Sequence, residues 1–130
     1  MQKGNKLINI KENTPQHLKK MKISSLFCLD AVIKSLENSK AEDIVKIKLI
    51  CGFLCDYMVI VSGRSDRHIL SITDNLVSYL KDEGIKVFGV EGQQAANWIV
   101  VDVGDIVVHI FRPETRELYD LESLWKKALE

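Results

Sequence analysis

The strongest constraint on the fold is an apolar run followed by an amphipathic segment and a second apolar run. Tyr57–Ser62 is apolar on both faces, which is typical of a strand in the middle of a sheet. After the break at Gly63, Ser65 is a suitable N-cap for a helix over 66–82, whose apolar residues recur every three or four positions. Residues 85–90 predict the next strand. Because a helical crossover joins the two strands, we expect them to be parallel.

Two further strands are predicted near the C-terminus. Residues 98–103 and 106–111 are apolar runs on either side of Gly104 and Asp105, a spacing that indicates an antiparallel hairpin. Pro113 ends the second strand and can begin a helix. The helical tail that follows carries an apolar stripe, of which we expect the middle residues to pack against the sheet. The stripe comprises Leu118, Leu121, Leu124, Trp125 and Ala128, with Leu121, Leu124 and Trp125 as the packing residues.

Two elements precede this part of the chain. Residues 45–49 alternate apolar side chains with Lys46 and Lys48, which is the pattern of a half-exposed strand near the edge of a sheet. Further upstream, Ser25 can cap a helix that closes at Asn38. Together the predicted elements make an α/β fold, with a mixed sheet of about five strands and helices packed on it.

The composition divides the chain into two parts. Residues 1–23 lack sustained periodicity and carry six lysines against one acidic residue, so we predict a basic N-terminal extension that is mobile or weakly helical. Residues 24–130 are predicted to form one domain. In the whole chain 18 basic residues balance 18 acidic residues, which argues against a nucleic-acid footprint over the whole domain. Residues 98–130 are the acidic part, with seven acidic residues against four basic ones.

The cysteines and the hydropathy indicate the compartment. Cys28, Cys51 and Cys55 form an odd and sparse set, which argues against the disulfide framework of a secreted protein. No stretch approaches the roughly 18 apolar residues that a membrane span needs. The N-terminus lacks the apolar region of a signal peptide. We therefore expect a cytoplasmic protein that does not bind membranes.

Signatures of phosphate-handling enzymes are weak. Gly63–Ser65 lies between a strand and a helix, where backbone N–H groups can bind an anion, and it resembles the opening motif of nucleotidyltransferases. Those enzymes also need two carboxylates on one strand face to hold Mg²⁺. The nearest pair, Asp102 and Asp105, flanks the predicted turn three residues apart, and no Asp-x-Asp pattern occurs. We therefore predict no catalytic residues, with a nucleotidyltransferase-like enzyme as the alternative.

The cysteines and histidines do not form a recognisable metal or nucleophile site. Cys51 and Cys55 lack the second pair of ligands that a zinc site requires, and His17, His68 and His109 show no paired spacing. We predict buried thiols, no metal and no cofactor, and a structural, hydrogen-bonded role for His109. A Cys-dependent enzyme that pairs Cys55 with His68 or His109 is a second alternative.

Trp98 is the strongest candidate for a binding residue. The period of two along the strand places Trp98 and Asp102 on one face and Ile99 and Val101 on the other. Trp and Tyr are typical anchors of protein interfaces, although Trp98 could also pack beneath a helix. We predict an aromatic and acidic surface for a basic partner. It comprises Trp98, Asp102, Asp105, Arg116, Tyr119, Asp120 and Glu122.

The same segment carries a resemblance to a known family. Its most specific part is Trp98–His109, which reads WIVVDVGDIVVH, followed by Arg116, Tyr119, Leu121, Glu122, Leu124 and Trp125. Earlier positions that match in order and spacing are Asp56–Gly63, Ser65, Arg67, His68 and Gly89–Gly92. Over about residues 24–127 the chain resembles the ribosomal silencing factor (Iojap) family.

The resemblance implies both a fold and a function. The fold would be related to nucleotidyltransferases without their catalytic carboxylates. The protein would bind large-subunit ribosomal protein fourteen, on the face of the large subunit that meets the small subunit, and would thereby block the joining of the two subunits. Translation would fall when nutrients are scarce, and some family members also act in ribosome biogenesis through maturation of the large subunit.

Two further contacts are predicted from the residues. The lysines of the N-terminal extension could bind ribosomal RNA phosphates weakly and in a salt-dependent manner. The apolar loop around Phe53 could join two copies of the chain in a homodimer.

Overall fold

The computed structural model describes the backbone of residues 16–49 and 56–124, and the side chains of residues 25–49 and 56–124. The helices are α1 (Gln16–Asn38), α2 (Asp66–Asp82) and α3 (Pro113–Tyr119), and a further helical turn begins at Leu121. The strands are β1 (Glu42–Lys48), β2 (Tyr57–Ser62), β3 (Gly89–Glu91), β4 (Trp98–Asp102) and β5 (Ile106–Phe111). Of the helices in these ranges, none is long and apolar enough to cross a membrane.

The strands form one mixed sheet in the order β1-β2-β5-β4-β3. β2 and β5 are parallel, and the other neighbouring strands are antiparallel. This arrangement confirms the predicted α/β fold, the hairpin of β4 and β5, and the position of β1 at an edge. β2 and β3 run in the same direction, as predicted, but β5 and β4 lie between them. The chain inserts its last hairpin between the two strands that α2 connects.

Helices α1 and α2 cover one face of the sheet. Val32 and Leu36 of α1 and Ile72 and Leu76 of α2 are fully buried there. The strand residues that they meet are Val59, Val61, Ile99, Val101, Val108 and Ile110. β2 is buried on both faces because a smaller apolar cluster lies on the opposite face of the sheet. That cluster comprises Ile47, Met58, Ile60 and Phe111, with Trp98 and Leu121 packed against it.

The start of α1 differs from the prediction. Ser25 is not an N-cap, because the helix begins nine residues earlier, at Gln16. Residues 17–23 are rich in Lys, Leu and Met, which are good helix formers, so the helix continues through a position where a cap was predicted. The buried Ser25 hydroxyl instead lies 2.9 Å from a carboxylate oxygen of Asp56 and 2.7 Å from one of Asp105. Ser25 thus joins α1 to the ends of two strands. The boundary between residues 23 and 24 stays a prediction.

The start of α2 agrees with the prediction. Ser65 is the N-cap, and its hydroxyl accepts a hydrogen bond of 3.1 Å from the backbone N–H of His68. The backbone N–H of Arg64 donates to Nδ1 of His68, at 2.9 Å. Two of the N–H groups at this helix start are therefore already bonded within the protein.

The third predicted strand is shorter than expected and lies further along the chain. The prediction covered residues 85–90, whereas β3 spans only Gly89–Glu91. The apolar residue Ile85 gave the strand pattern, but its backbone N–H bonds to the carbonyl of Leu80 and so completes the end of α2. Its side chain is buried in the core as an extension of the helix packing.

The tail also departs from the predicted continuous stripe. Helix α3 ends at Tyr119, and Asp120 has a positive φ of 46°, which turns the chain before the next helical turn. As a result Leu118 is 76% exposed and Leu124 is 60% exposed, so the prediction that Leu124 packs on the sheet is wrong. Leu121 does pack there, as predicted. Trp125 and Ala128 lie outside the described residues.

Candidate functional site

Four aromatic side chains form a cluster on the sheet face opposite α1 and α2. Trp98 of β4 pairs in register with Phe111 of β5, and their rings stack with centroids 5.0 Å apart. Tyr119, at the end of α3, also contacts Trp98, with a centroid distance of 4.8 Å and the two rings tilted by 43°. His109, two residues before Phe111 on β5, completes the group. We call Trp98, His109, Phe111 and Tyr119 the aromatic cluster.

The members of the aromatic cluster differ in their exposure. Phe111 is fully buried and belongs to the smaller apolar cluster of the core. Trp98 is half-buried, because α3 places Tyr119 over it. Tyr119 itself is 53% exposed, and its neighbour Leu118 is more exposed still. Two predictions were made for Trp98, namely partial exposure and packing beneath a helix. Each is partly right. Tyr119 therefore forms the exposed edge of the cluster, and its chain neighbour Leu118 adds an exposed apolar side chain.

His109 is held by a hydrogen bond to Trp98. The indole N–H of Trp98 donates to Nδ1 of His109 at 3.0 Å, so His109 is neutral and carries its proton on Nε2. Burial lowers the pKa of His109 from 6.5 to about 4, because the surroundings disfavour the charged imidazolium. A neutral ring can continue to accept the indole proton at physiological pH.

The lowered pKa of His109 predicts an acid-sensitive stability. Below pH 6.5 the unfolded chain takes up a proton at this residue, whereas the folded protein does so only near pH 4, so stability falls as the pH drops through this window. Between pH 7 and pH 5 the expected loss from His109 is about 2 kcal/mol in the free energy of unfolding. Urea denaturation of the natural protein and of His109→Asn at both pH values measures it. An equal pH dependence in the two proteins would contradict the buried, neutral histidine.

Arg116 links the C-terminal tail, which follows β5, to the sheet. Its guanidinium donates to both carboxylate oxygens of Glu122, at 2.8 and 3.2 Å, and to the hydroxyl of Ser62 on β2, at 2.8 Å. The Arg116 side chain is only 11% exposed. Two predicted partner-binding residues, Arg116 and Glu122, are therefore engaged with each other, and they hold the turn at Asp120 and the ring of Tyr119 in place.

An acidic depression lies beside the aromatic cluster. It encloses about 600 Å³ between α3, the end of β2 and the start of β1. Its lining residues are Asp43, Ser62, Pro113, Glu114, Arg116, Glu117, Asp120 and Glu122. Among the described residues Asp43, Glu117 and Asp120 form no salt bridge, whereas Arg116 is neutralised by Glu122. The depression consequently carries a net negative charge, with the exposed apolar Leu118 and Tyr119 next to it.

Two of the predicted site residues lie elsewhere. Asp102 and Asp105 sit at the turn of the β4–β5 hairpin, which is the opposite end of β4 from Trp98 and roughly 13 Å away along the strand. Asp102 accepts a hydrogen bond from the backbone N–H of Gly104, at 2.8 Å. Asp105 accepts a hydrogen bond from the Ser25 hydroxyl. The structure brings together Trp98, Arg116, Tyr119, Asp120 and Glu122, but it does not bring Asp102 and Asp105 to them.

Three residues near the site were missed or differently assigned from the sequence. Ser62, Phe111 and Leu118 were not predicted as part of it, although the period of two along β5 places Phe111 on the same face as His109. Ser62 could not have been found by local pattern, because its role arises from a contact with Arg116 that is 54 residues distant in the chain.

The described residues contain no group of three or more His, Cys, Asp or Glu side chains that could hold a metal ion. Cys28 is half-buried in α1, and Cys51 and Cys55 lie outside the described residues together with Phe53. The alternatives of a Cys–His pair and of a dimer through Phe53 therefore stay untested.

Comparison with known proteins agrees with this architecture. The family model described as "Ribosomal silencing factor during starvation" matches residues 22–130. The ribosomal silencing factor of Zymomonas mobilis is 41% identical over 98 residues, which cover 75% of this chain and 74% of that protein. The corresponding factor of Haemophilus influenzae is 38% identical over 98 residues, covering 75% of this chain and 96% of that protein.

A solved structure is also similar. The crystal structure of a Chromobacterium violaceum protein superposes with a TM-score of 0.76 at 31% identity, covering 78% of this chain and 86% of the other. Because the family model extends over most of the chain, the turn of the hairpin, the aromatic cluster and the acidic depression all lie within the matched region. The chain belongs to the ribosomal silencing factor family.

Proposed function

We propose that this protein binds the large ribosomal subunit through large-subunit ribosomal protein fourteen and so prevents the small subunit from joining. The observation that carries the proposal is the exposed edge of the aromatic cluster, where Tyr119 and Leu118 lie beside an acidic depression. Interfaces that bind tightly combine aromatic anchors with a polar surround, and both features occur here within one surface.

The charge of the surface fits a basic partner. Ribosomal proteins are generally basic, and the depression presents Asp43, Glu117 and Asp120 without basic counterparts among the described residues. Complementary charge accelerates the encounter and sets the orientation of two proteins, whereas the buried aromatic contacts supply most of the affinity. The acidic groups thus guide the partner towards Tyr119.

The rigidity of the surface favours steric obstruction as the mechanism. Trp98 and Phe111 are on paired strands, and Arg116 attaches the tail to Ser62 on β2. Binding to such a preorganised surface costs this protein little conformational entropy. Once bound, the body of the domain occupies the space that the small subunit would need, and no chemical step is required.

Binding rather than catalysis is also favoured by the two candidates for enzymatic groups. The carboxylate of Asp102 accepts a hydrogen bond within the hairpin turn, and that of Asp105 accepts one from Ser25. The backbone N–H groups of Arg64 and His68 at the start of α2 are already bonded within the protein. The cytoplasmic location and the contact of the N-terminal extension with ribosomal RNA stay predictions.

Co-sedimentation with purified ribosomal subunits tests the proposal. The protein is expected to pellet with large subunits and not with small subunits or joined ribosomes. Tyr119→Ala should weaken binding to large subunits about tenfold, because it removes an exposed aromatic anchor. Phe88→Ala is the matched control, since Phe88 is similarly exposed, at 59%, but lies beside Gly104 at the distant hairpin turn.

Three results would contradict the proposal. If the protein fails to pellet with large subunits, or pellets equally with small subunits, the function is wrong. If Phe88→Ala weakens binding as much as Tyr119→Ala, the docking surface lies elsewhere on the molecule. Light scattering of mixed subunits then reports the second half of the mechanism, because bound factor should reduce the formation of joined ribosomes.

A further inference from the structure

We propose that His109 is a positioning residue that holds the ring of Trp98 in the orientation in which the docking surface meets its partner. The effect on docking rests on the proposed function, whereas the contact between His109 and Trp98 lies within the protein itself. His109 is 8% exposed, so it presents almost no surface to a partner. Its contribution has to pass through the side chains that it touches, and Trp98 is the one to which it is hydrogen-bonded.

The hydrogen bond adds a directional restraint to the packing of the Trp98 ring. Trp98 contacts the rings of Phe111 and Tyr119, at centroid distances of 5.0 and 4.8 Å. The first contact is stacked and the second is tilted. Aromatic pairs accept both kinds of arrangement, so these contacts alone allow more than one orientation of the Trp98 ring. The bond from the indole N–H to Nδ1 of His109 is directional, and it therefore fixes the remaining freedom of the ring.

The choice of histidine suits this task. A half-buried indole N–H needs an acceptor, and without one it would either lose a hydrogen bond or turn the ring towards water. His109 supplies the acceptor from the strand next to Trp98, where Val100 and not Trp98 is its direct partner in register. The lowered pKa of His109 keeps the ring neutral and its Nδ1 available at physiological pH.

The experiment separates the hydrogen bond from the size of the side chain. His109→Asn keeps an acceptor at nearly the same place, whereas His109→Leu has a similar shape and no acceptor. In ¹⁵N-labelled full-length protein, exchange of the Trp98 indole proton with water is measured by NMR. The chain has two tryptophans, and Trp98→Phe assigns the signal by its loss. We expect exchange about fivefold faster or more in His109→Leu and near the natural rate in His109→Asn.

Binding to large subunits is measured for the same variants and in a Trp98→Phe background. His109→Leu should weaken binding about fivefold when Trp98 is present, and should have no further effect when the indole N–H is absent. Unchanged indole exchange in His109→Leu would overturn the proposal, and so would an equal loss of binding in both backgrounds. If Tyr119→Ala leaves binding intact while the exchange result holds, the docking surface is refuted and the role of His109 towards Trp98 stands.

Discussion

Replacement of Gly92 by Ala is expected to lower the free energy of unfolding by about 4 kcal/mol. Gly92 has a φ of +95°, a region that L residues with a side chain adopt only with strain. A Cβ atom at this position would also overlap the backbone carbonyl oxygen of Trp98. The backbone at the start of β4 is paired with β5. A shift of this backbone would disturb that pairing, so the strain is not easily relieved.

Two other glycines separate the causes of this effect. Gly84 has a φ of +77°, but a Cβ atom added there would meet nothing within 4 Å, so Gly84→Ala should cost only about 1 kcal/mol. Gly89 has neither a positive φ nor a close neighbour, and Gly89→Ala should change stability by less than about 0.5 kcal/mol. Urea denaturation ranks the three variants. A Gly92→Ala protein no less stable than Gly84→Ala would show that the close approach to Trp98 is not a constraint.

The Gly92 variant also connects stability to the docking surface. The carbonyl that the new Cβ would displace belongs to Trp98, the central ring of the aromatic cluster. Under conditions where the variant remains folded, we expect the Trp98 ring to shift relative to Tyr119 and binding to large subunits to weaken. Gly84→Ala, at the far end of α2, should bind normally.

Arg116→Ala is expected to cost about 3 kcal/mol in the free energy of unfolding. The change removes three hydrogen bonds from an almost buried guanidinium and leaves the carboxylate of Glu122 without its partner. The tail beyond Asp120 then loses its attachment to β2. Proteolysis of that segment should become faster, and binding to large subunits should weaken because Tyr119 no longer has a defined position.

Two control variants test whether the geometry and the burial of Arg116 cause this effect. Arg116→Lys should rescue little, since an ammonium cannot bind both oxygens of Glu122 and the Ser62 hydroxyl at once. Arg64→Ala removes an arginine that is 62% exposed and lies 3.6 Å from Glu42, and it should cost less than about 0.5 kcal/mol. If Arg116→Ala costs no more than Arg64→Ala, the tail is held by other contacts.

The site shows why its residues could be predicted only in part. Trp98 was predicted from residue type and strand period and Tyr119 from residue type, and the structure brings them into contact. Asp102 and Asp105 share the acidic character that suggested a docking surface, but β4 carries them to its other end. Arg116 and Glu122 were predicted to contact a partner, whereas the structure shows that they bind each other. Charge alone does not distinguish a residue that faces a partner from one that holds the surface together.

By itself the sequence determined the elements whose periodicity is strong, namely β2, α2 and the β4–β5 hairpin, and it determined the family. These features depend on residues that are near one another in the chain, so their spacing records them. Only the tertiary structure decided the insertion of the hairpin between β2 and β3, the contact of Trp98 with Tyr119 and the bond from Arg116 to Ser62. Those contacts join distant segments, and the packing of the whole domain selects them.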